Sequence, residues 1–123
     1  MIRALAAAIL LAGCAGGPTL TESGIEGCDL EVTFGSYAMG VDQALKVEIQ
    51  NRIDGEAAVS SIEERWWGRE GESTICISTF DAAGADRLYT AVAAIIPEHS
   101  DRAPTTVTHR DGRSHGSTWP ERP

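Results

Sequence analysis

Apolar and polar residues alternate through residues 28–34: Leu30, Val32 and Phe34 fall on one side, Asp29, Glu31 and Thr33 on the other. A period of two is that of a half-buried strand. After the glycine-bracketed loop 35–40 the period lengthens, and Leu45, Ile49 and Ile53 recur at helical spacing behind Asp42, a residue suited to an N-cap. Asp54-Gly55 predicts the helix end, with Gly55 in the left-handed C-terminal position. Residues 57–67 and 73–80 are crowded with β-branched and aromatic side chains and are separated by Gly68-Arg69-Glu70-Gly71, the pattern of a hairpin. Asp81 opens a second helix whose apolar face is Ala85, Leu88, Val92, Ile95 and Ile96, and Pro97 stops it. Residues 98–103 read as a polar loop and 104–110 as a short Thr/Val strand. From 111 to 123 glycine, serine, proline and charge dominate, which predicts a disordered tail.

The order strand, helix, strand, strand, helix, strand resembles the ferredoxin-like βαββαβ plait. That resemblance implies an α+β domain with a four-stranded antiparallel sheet, spatial order 4-1-3-2, and two helices on one face. It also makes the first and third strands neighbours and leaves the second strand at an edge.

Ahead of this domain, Arg3 precedes an apolar run at 4–12, the charged and hydrophobic parts of a secretory signal. The run is far shorter than the roughly 20 residues a membrane-crossing helix needs. It ends in Leu11-Ala12-Gly13-Cys14, which resembles the lipobox of bacterial lipoproteins. The resemblance implies cleavage after Gly13, lipid on Cys14, and attachment to the membrane through acyl chains, each buried CH₂ contributing about 0.8 kcal/mol. Ala15 stands where an aspartate would resemble an inner-membrane retention signal, so the expected location is the outer membrane, facing the periplasm. The organisation expected is a signal peptide at 1–13, a flexible tether at 14–27, the domain at 28–110 and the tail at 111–123.

Losing residues 1–13, whose only charged side chain is Arg3, takes the formal net charge from −8 to −9 and leaves 110 residues, enough for one domain. So acidic a chain does not suit nucleic acid, whose phosphates need clustered Lys and Arg. With Cys14 assigned to lipid, Cys28 and Cys76 remain, and in an oxidising compartment such a pair predicts a disulfide. One detail resists. Cys28 shares parity with core-facing Leu30, whereas Cys76 has the opposite parity to Ile75 and Ile77. A bulge, or Cys28 lying just outside its strand, reconciles the two.

Candidate chemistry is sparse. The spacing Gly35 to Gly40 matches the start of a phosphate-binding loop, but Val41 and Asp42 stand where Lys and Ser/Thr are needed. His99, His109 and His115 have no metal-ligand spacing and read as solvent-exposed. Glu63, Glu64, Glu70 and Glu72 read as a solvated edge rather than an acid/base pair. No catalytic residue, metal ligand or cofactor is assigned. Trp66-Trp67 is the strongest remaining feature: adjacent strand residues face opposite sides, so one ring enters the core. The other lies at the outer face or edge, as a recognition element or as a cover for Arg65 or Arg69. Tyr37 and Met39 in the first loop are further candidates for partner contact. These readings lead to a lipid-anchored, non-enzymatic protein-interaction module of the cell envelope, in contact with another envelope protein. The alternative is a small-ligand-binding protein or enzyme working from the loop around Tyr37 and the hairpin.

Overall fold

The computed structural model describes residues 27–120. The expected signal peptide, Cys14 and the tether up to residue 26 lie outside the described residues. The elements are β1 (Leu30–Phe34), α1 (Gln43–Asp54), β2 (Val59–Trp67), β3 (Glu72–Thr79), α2 (Ala82–Ile95), β4 (Thr105–His109) and β5 (Ser114–Gly116). The strands form one antiparallel sheet in the order β2-β3-β1-β4-β5. The first four stand in the expected order, but the sheet has five strands, not four. Among the described residues no helix is long and apolar enough to cross a membrane.

β1 lies at the centre, with Val32 opposite both Ile75 of β3 and Val107 of β4. Its even-numbered residues therefore share a face with Ile75, Ile77 and Val107. Leu45, Ile49 and Ile53 of α1 and Leu88 and Val92 of α2 close over that same face in one core cluster. Each such buried side chain contributes about 1.5–3 kcal/mol. Both helices begin as the sequence indicates: Asp42 accepts from the Leu45 N–H at 3.1 Å and Asp81 from the Gly84 N–H at 2.7 Å. α1 ends differently. Gly55 has φ −86°, so the left-handed cap expected there is absent, and its N–H still bonds the Asn51 carbonyl at 3.1 Å. α2 carries Gly84 where it passes the start of β2, because a side chain there would run into the Ala58 methyl.

Glu56, between α1 and β2, ties three elements together. Its carboxylate takes Arg87 of α2 at 3.0 Å, Arg52 of α1 at 3.3 Å and the Ala58 N–H at 3.1 Å. The Arg87 hydrogen bond, followed by that from Ala58, holds the Glu56 carboxyl down from 4.5 to about 2.

The Cys28–Cys76 disulfide is present, with its Cα atoms 5.3 Å apart. The parity conflict resolves because Cys28 precedes β1 and is released from its alternation. Cys76, opposite Glu31, lies on the face away from the helices.

The expected end of the domain at residue 110 is overturned. His109 takes the Gly112 N–H on its carbonyl and donates its own N–H to the Arg113 carbonyl, while Gly112 sits at φ +103°. This is a tight turn closed by a glycine in the left-handed region. It sends the chain back as β5, pairing Thr106 with Gly116 and Thr108 with Ser114. Beyond it the Thr118 N–H bonds the Glu98 carbonyl at 2.9 Å.

Two outcomes are expected. Replacing Cys28 and Cys76 together by alanine opens a loop spanning a sequence separation of 48 and lowers stability by roughly 4 kcal/mol on the chain-entropy scale, read from urea midpoints. The Glu56 carboxylate, ionised at lower pH when folded, stabilises the protein above its ordinary value of 4.5 and stops doing so as pH falls towards about 2. The stability gap between wild type and Glu56→Gln is therefore full at pH 7 and closes between pH 4.5 and 2, as measured by urea unfolding across that range.

Candidate functional site

Among the described residues β2, nine residues long, pairs only with β3, and its other side is a sheet edge. Such an edge presents unpaired N–H and C=O groups to any extended chain that approaches. Its side chains are set by register. Ile62, Glu64 and Trp66 stand opposite Ile77, Ile75 and Ser73 and so share the helix-covered face, while Glu63, Arg65 and Trp67 point to the other. A register shift between Val59 and Ser61 puts a bulge at the start of the strand and leaves the pairing regular from Ser61 to Trp67.

On the helix side the edge is apolar and uncovered. Ile62 is 46% exposed and Trp66 62%, with Val47 of α1 also exposed beside them. A groove of about 320 Å³ runs between α1 and β2, where Val47, Ile53, Ile62 and Ile75 alternate with the polar Gln50, Asn51, Asp54 and Glu64.

Lys46 builds the floor of this region. It is 5% exposed, and its Nζ donates to Glu64 Oε2 at 2.9 Å and to Ser73 Oγ at 3.0 Å. The same ammonium lies 4.2 Å from the centre of the Trp66 ring and 5.3 Å from that of Phe34. A buried cation is tolerated only with such partners, and here they come from β2 (Glu64, Trp66), β3 (Ser73) and β1 (Phe34). Burial works against ionising Glu64, but the hydrogen bonds from Lys46 and Ser73 and the Lys46 charge outweigh it. Its carboxyl is held below the usual range.

The expectation that one of the paired tryptophans enters the core is corrected: both are exposed. The helices leave the end of β2 uncovered, so Trp66 lies under the Lys46 ammonium. On the other face Trp67, 43% exposed, donates from Nε1 to Thr74 Oγ1 at 3.1 Å. That second face is not an open polar surface at its centre, since Glu31, Thr74 and Cys76 are all buried.

Tyr37 and Met39 emerge at the same end of the sheet as Trp66, because Phe34, which precedes their loop, is in line with Ser73 and Trp66. The loop is tied by Ser36 Oγ, which accepts the N–H groups of Ala38 and Gly40 at 2.9 Å each. Ala38 is held at φ +85°, a region costly for a residue with a side chain. Tyr37 is already engaged, its ring edge-on to Trp119 at 4.9 Å, whereas Met39 projects into solvent. The shallow depression there is lined by Met39, Gly40, Asp101 and Arg102.

A second cluster occupies the opposite end of the sheet, and sequence spacing hid it. His109, expected in solvent, is 6% exposed because β5 and α2 enclose it. Its Nδ1 accepts the Asp111 N–H at 3.0 Å, and its Nε2 is 3.0 Å from Asp86 Oδ1 without the alignment of a hydrogen bond. Asp86, His109 and Asp111 place donor atoms within 4.8 Å of one another, a spacing able to hold a metal ion. A cation already stands between the carboxylates: Arg113 Nη2 is 2.6 Å from Asp86 and 2.8 Å from Asp111. The Arg113 hydrogen bonds hold the Asp111 carboxyl at about 2. Around His109 are two carboxylates, a guanidinium and the Tyr89 ring, edge-on at 5.8 Å. This set is charge-paired and carries no nucleophile of the Ser or Cys type. His99 and His115 are used locally, on Thr118 Oγ1 and the Ile96 carbonyl.

No protein-family model, no curated protein and no solved structure matches this chain. The site is therefore read from its own geometry.

Removing Lys46 tests the floor of the edge. Lys46→Met removes the ammonium that both Ser73 and Glu64 accept from and leaves the Glu64 carboxylate with the Ser73 hydroxyl but no counterion, at a cost of about 1–3 kcal/mol. The expected result is a loss of that size in urea unfolding, together with a change in Trp66 fluorescence as the ammonium leaves its ring.

Proposed function

We propose that this domain is a protein-docking module of the cell envelope, held by lipid on Cys14, whose working surface is the free edge of β2. In this reading the fold is a ferredoxin-like plait with a fifth strand added beside β4, and the edge left open is the one the plait places farthest from that addition. The observation that carries the proposal is the coincidence on one strand of three properties. Among the described residues β2 is unpaired along its outer side, its Ile62 and Trp66 are exposed on the helix side, and a groove of mixed apolar and polar lining lies beside the strand. Strand addition supplies main-chain hydrogen bonds for affinity, and alternate side chains entering a flanking groove supply selectivity. Tryptophan is among the residue types that most often carry binding energy at such a surface.

The lipid anchor and the periplasmic location rest on the lipobox resemblance. They give the module a reason to work at short range on a membrane surface despite its net negative charge. The experiment is site-specific photo-crosslinking in isolated envelopes, with the crosslinker introduced at Ile62 and, as a control on the far side, at Thr90 of α2. A defined adduct is expected from position 62 only, and Trp66→Ala is expected to reduce it at least tenfold while the far-UV spectrum stays unchanged. Equal labelling from both positions, or an adduct indifferent to Trp66, overturns the proposal. Mass spectrometry of the mature N-terminus tests the anchor, and an unmodified Cys14 removes it.

A further inference from the structure

The β2 edge has a property that a general docking surface does not need: it is complementary to itself. We propose that its occupant is a second copy of this chain, joined by antiparallel β2–β2 pairing about a two-fold axis through Glu64. This rests on the reading of β2 as a docking edge and names the partner.

The geometry leaves few registers. A two-fold axis normal to the sheet keeps all four helices of the pair on one side, and it requires that residues facing each other lie on the same face. Only registers centred on a residue, and not between residues, satisfy this. Centring on Ile62 sets Ser61 opposite Glu63. Centring on Glu63 sets that carboxylate against its own copy and Ile62 against Glu64. Centring on Arg65 sets guanidinium against guanidinium and Glu64 against Trp66.

Centring on Glu64 sets one pair of like charges, the two Glu64 carboxylates, at the axis and matches the flanking positions by type. Ile62 meets Trp66 of the second copy on the helix side, and Glu63 meets Arg65 on the other, each pair occurring twice. The stretch used, Ser61 to Trp67, is the part of β2 whose register is regular. The α1–β2 grooves of the two copies face each other across the seam, so Val47, Ile62 and Trp66 of both chains cover one another. The two Glu64 carboxylates that meet at the axis arrive with their counterions, Lys46 Nζ at 2.9 Å on each. Like charges opposite one another are otherwise unfavourable. Lys46 thus acts as a positioning residue for the interface as well as for the fold. The product is a continuous sheet with β5 at both outer ends.

The test is sedimentation equilibrium of the full chain in density-matched detergent over a range of concentrations. A monomer–dimer equilibrium is expected, abolished by Ile62→Lys, which sets an ammonium opposite Trp66. The register is tested by charge reversal. Glu63→Arg and Arg65→Glu each place like charges opposite one another at two positions and weaken association about tenfold, while the double reversal restores it. Thermal unfolding of each variant at concentrations where it is monomeric separates loss of association from loss of fold.

A chain that stays monomeric throughout overturns the dimer. So does a dimer insensitive to Ile62→Lys, or one that the double reversal fails to restore. These results differ from failure of the docking reading itself. A monomer whose position 62 still crosslinks to another envelope protein removes the second copy as partner and leaves the edge in use. A monomer with no adduct at position 62 removes both.

Discussion

β1 is hydrogen-bonded on both sides, and most of the structure hangs from that double pairing. Five residues long, it carries Leu30, Val32 and Phe34 into the core and aligns β3 on one flank and β4 on the other. Its entry is clamped twice over. Cys28 is joined to Cys76, and the Asp29 carboxylate takes the Thr79 N–H at 2.7 Å and Arg110 at 2.8 Å, tying β3 and β4 to the same point. Burial resists ionisation of Asp29, but these hydrogen bonds prevail and hold its carboxyl below the ordinary range.

With the middle of the sheet committed, its two sides have different fates. On the β4 side the chain turns at Gly112 and adds β5, so that side is extended and its end pinned by Thr118 to Glu98. On the β3 side no strand among the described residues pairs beyond β2. The chain has passed on to β3 and α2, and the long strand remains as the boundary. Sheet edges are commonly blunted by inward charge or by Lys and Pro. Here the strand carries Glu63 and Arg65 on one face, while on the other Lys46 reaches over from α1 to Glu64, Ser73 and Trp66.

The two ends of the sheet show how similar residue types reach different outcomes. At one end a lysine ammonium sits between a carboxylate and two aromatic rings, which leaves apolar surface exposed. At the other, Arg113 spans Asp86 and Asp111, its guanidinium 5.0 Å from the centre of the Tyr89 ring, and closes over buried His109. The planar guanidinium reaches two carboxylates at once, where an ammonium is a point charge. That end is charge-paired, although His109 Nε2 is left without an aligned hydrogen bond.

Element types and the order of the first four strands were legible from alternation and helical spacing, because burial on one face is written residue by residue. Asp42, Asp81 and Pro97 mark helix boundaries through local chemistry that needs no partner. The disulfide followed from counting cysteines, and its parity conflict already pointed to Cys28 lying outside β1. The Asp111-Gly112 turn was also written in the chain, but β5 is three residues long and too polar to announce itself as a strand. What the sequence could not carry is which side chains meet across distances of tens of residues. The exposure of both tryptophans, the inward turn of Lys46 and the enclosure of His109 each depend on where α1, α2 and β5 come to rest. Trp66-Trp67 alone implies only that neighbours on a strand face opposite ways. That neither ring finds the core is decided by the helices, which cover β1 and β3 and leave β2 uncovered.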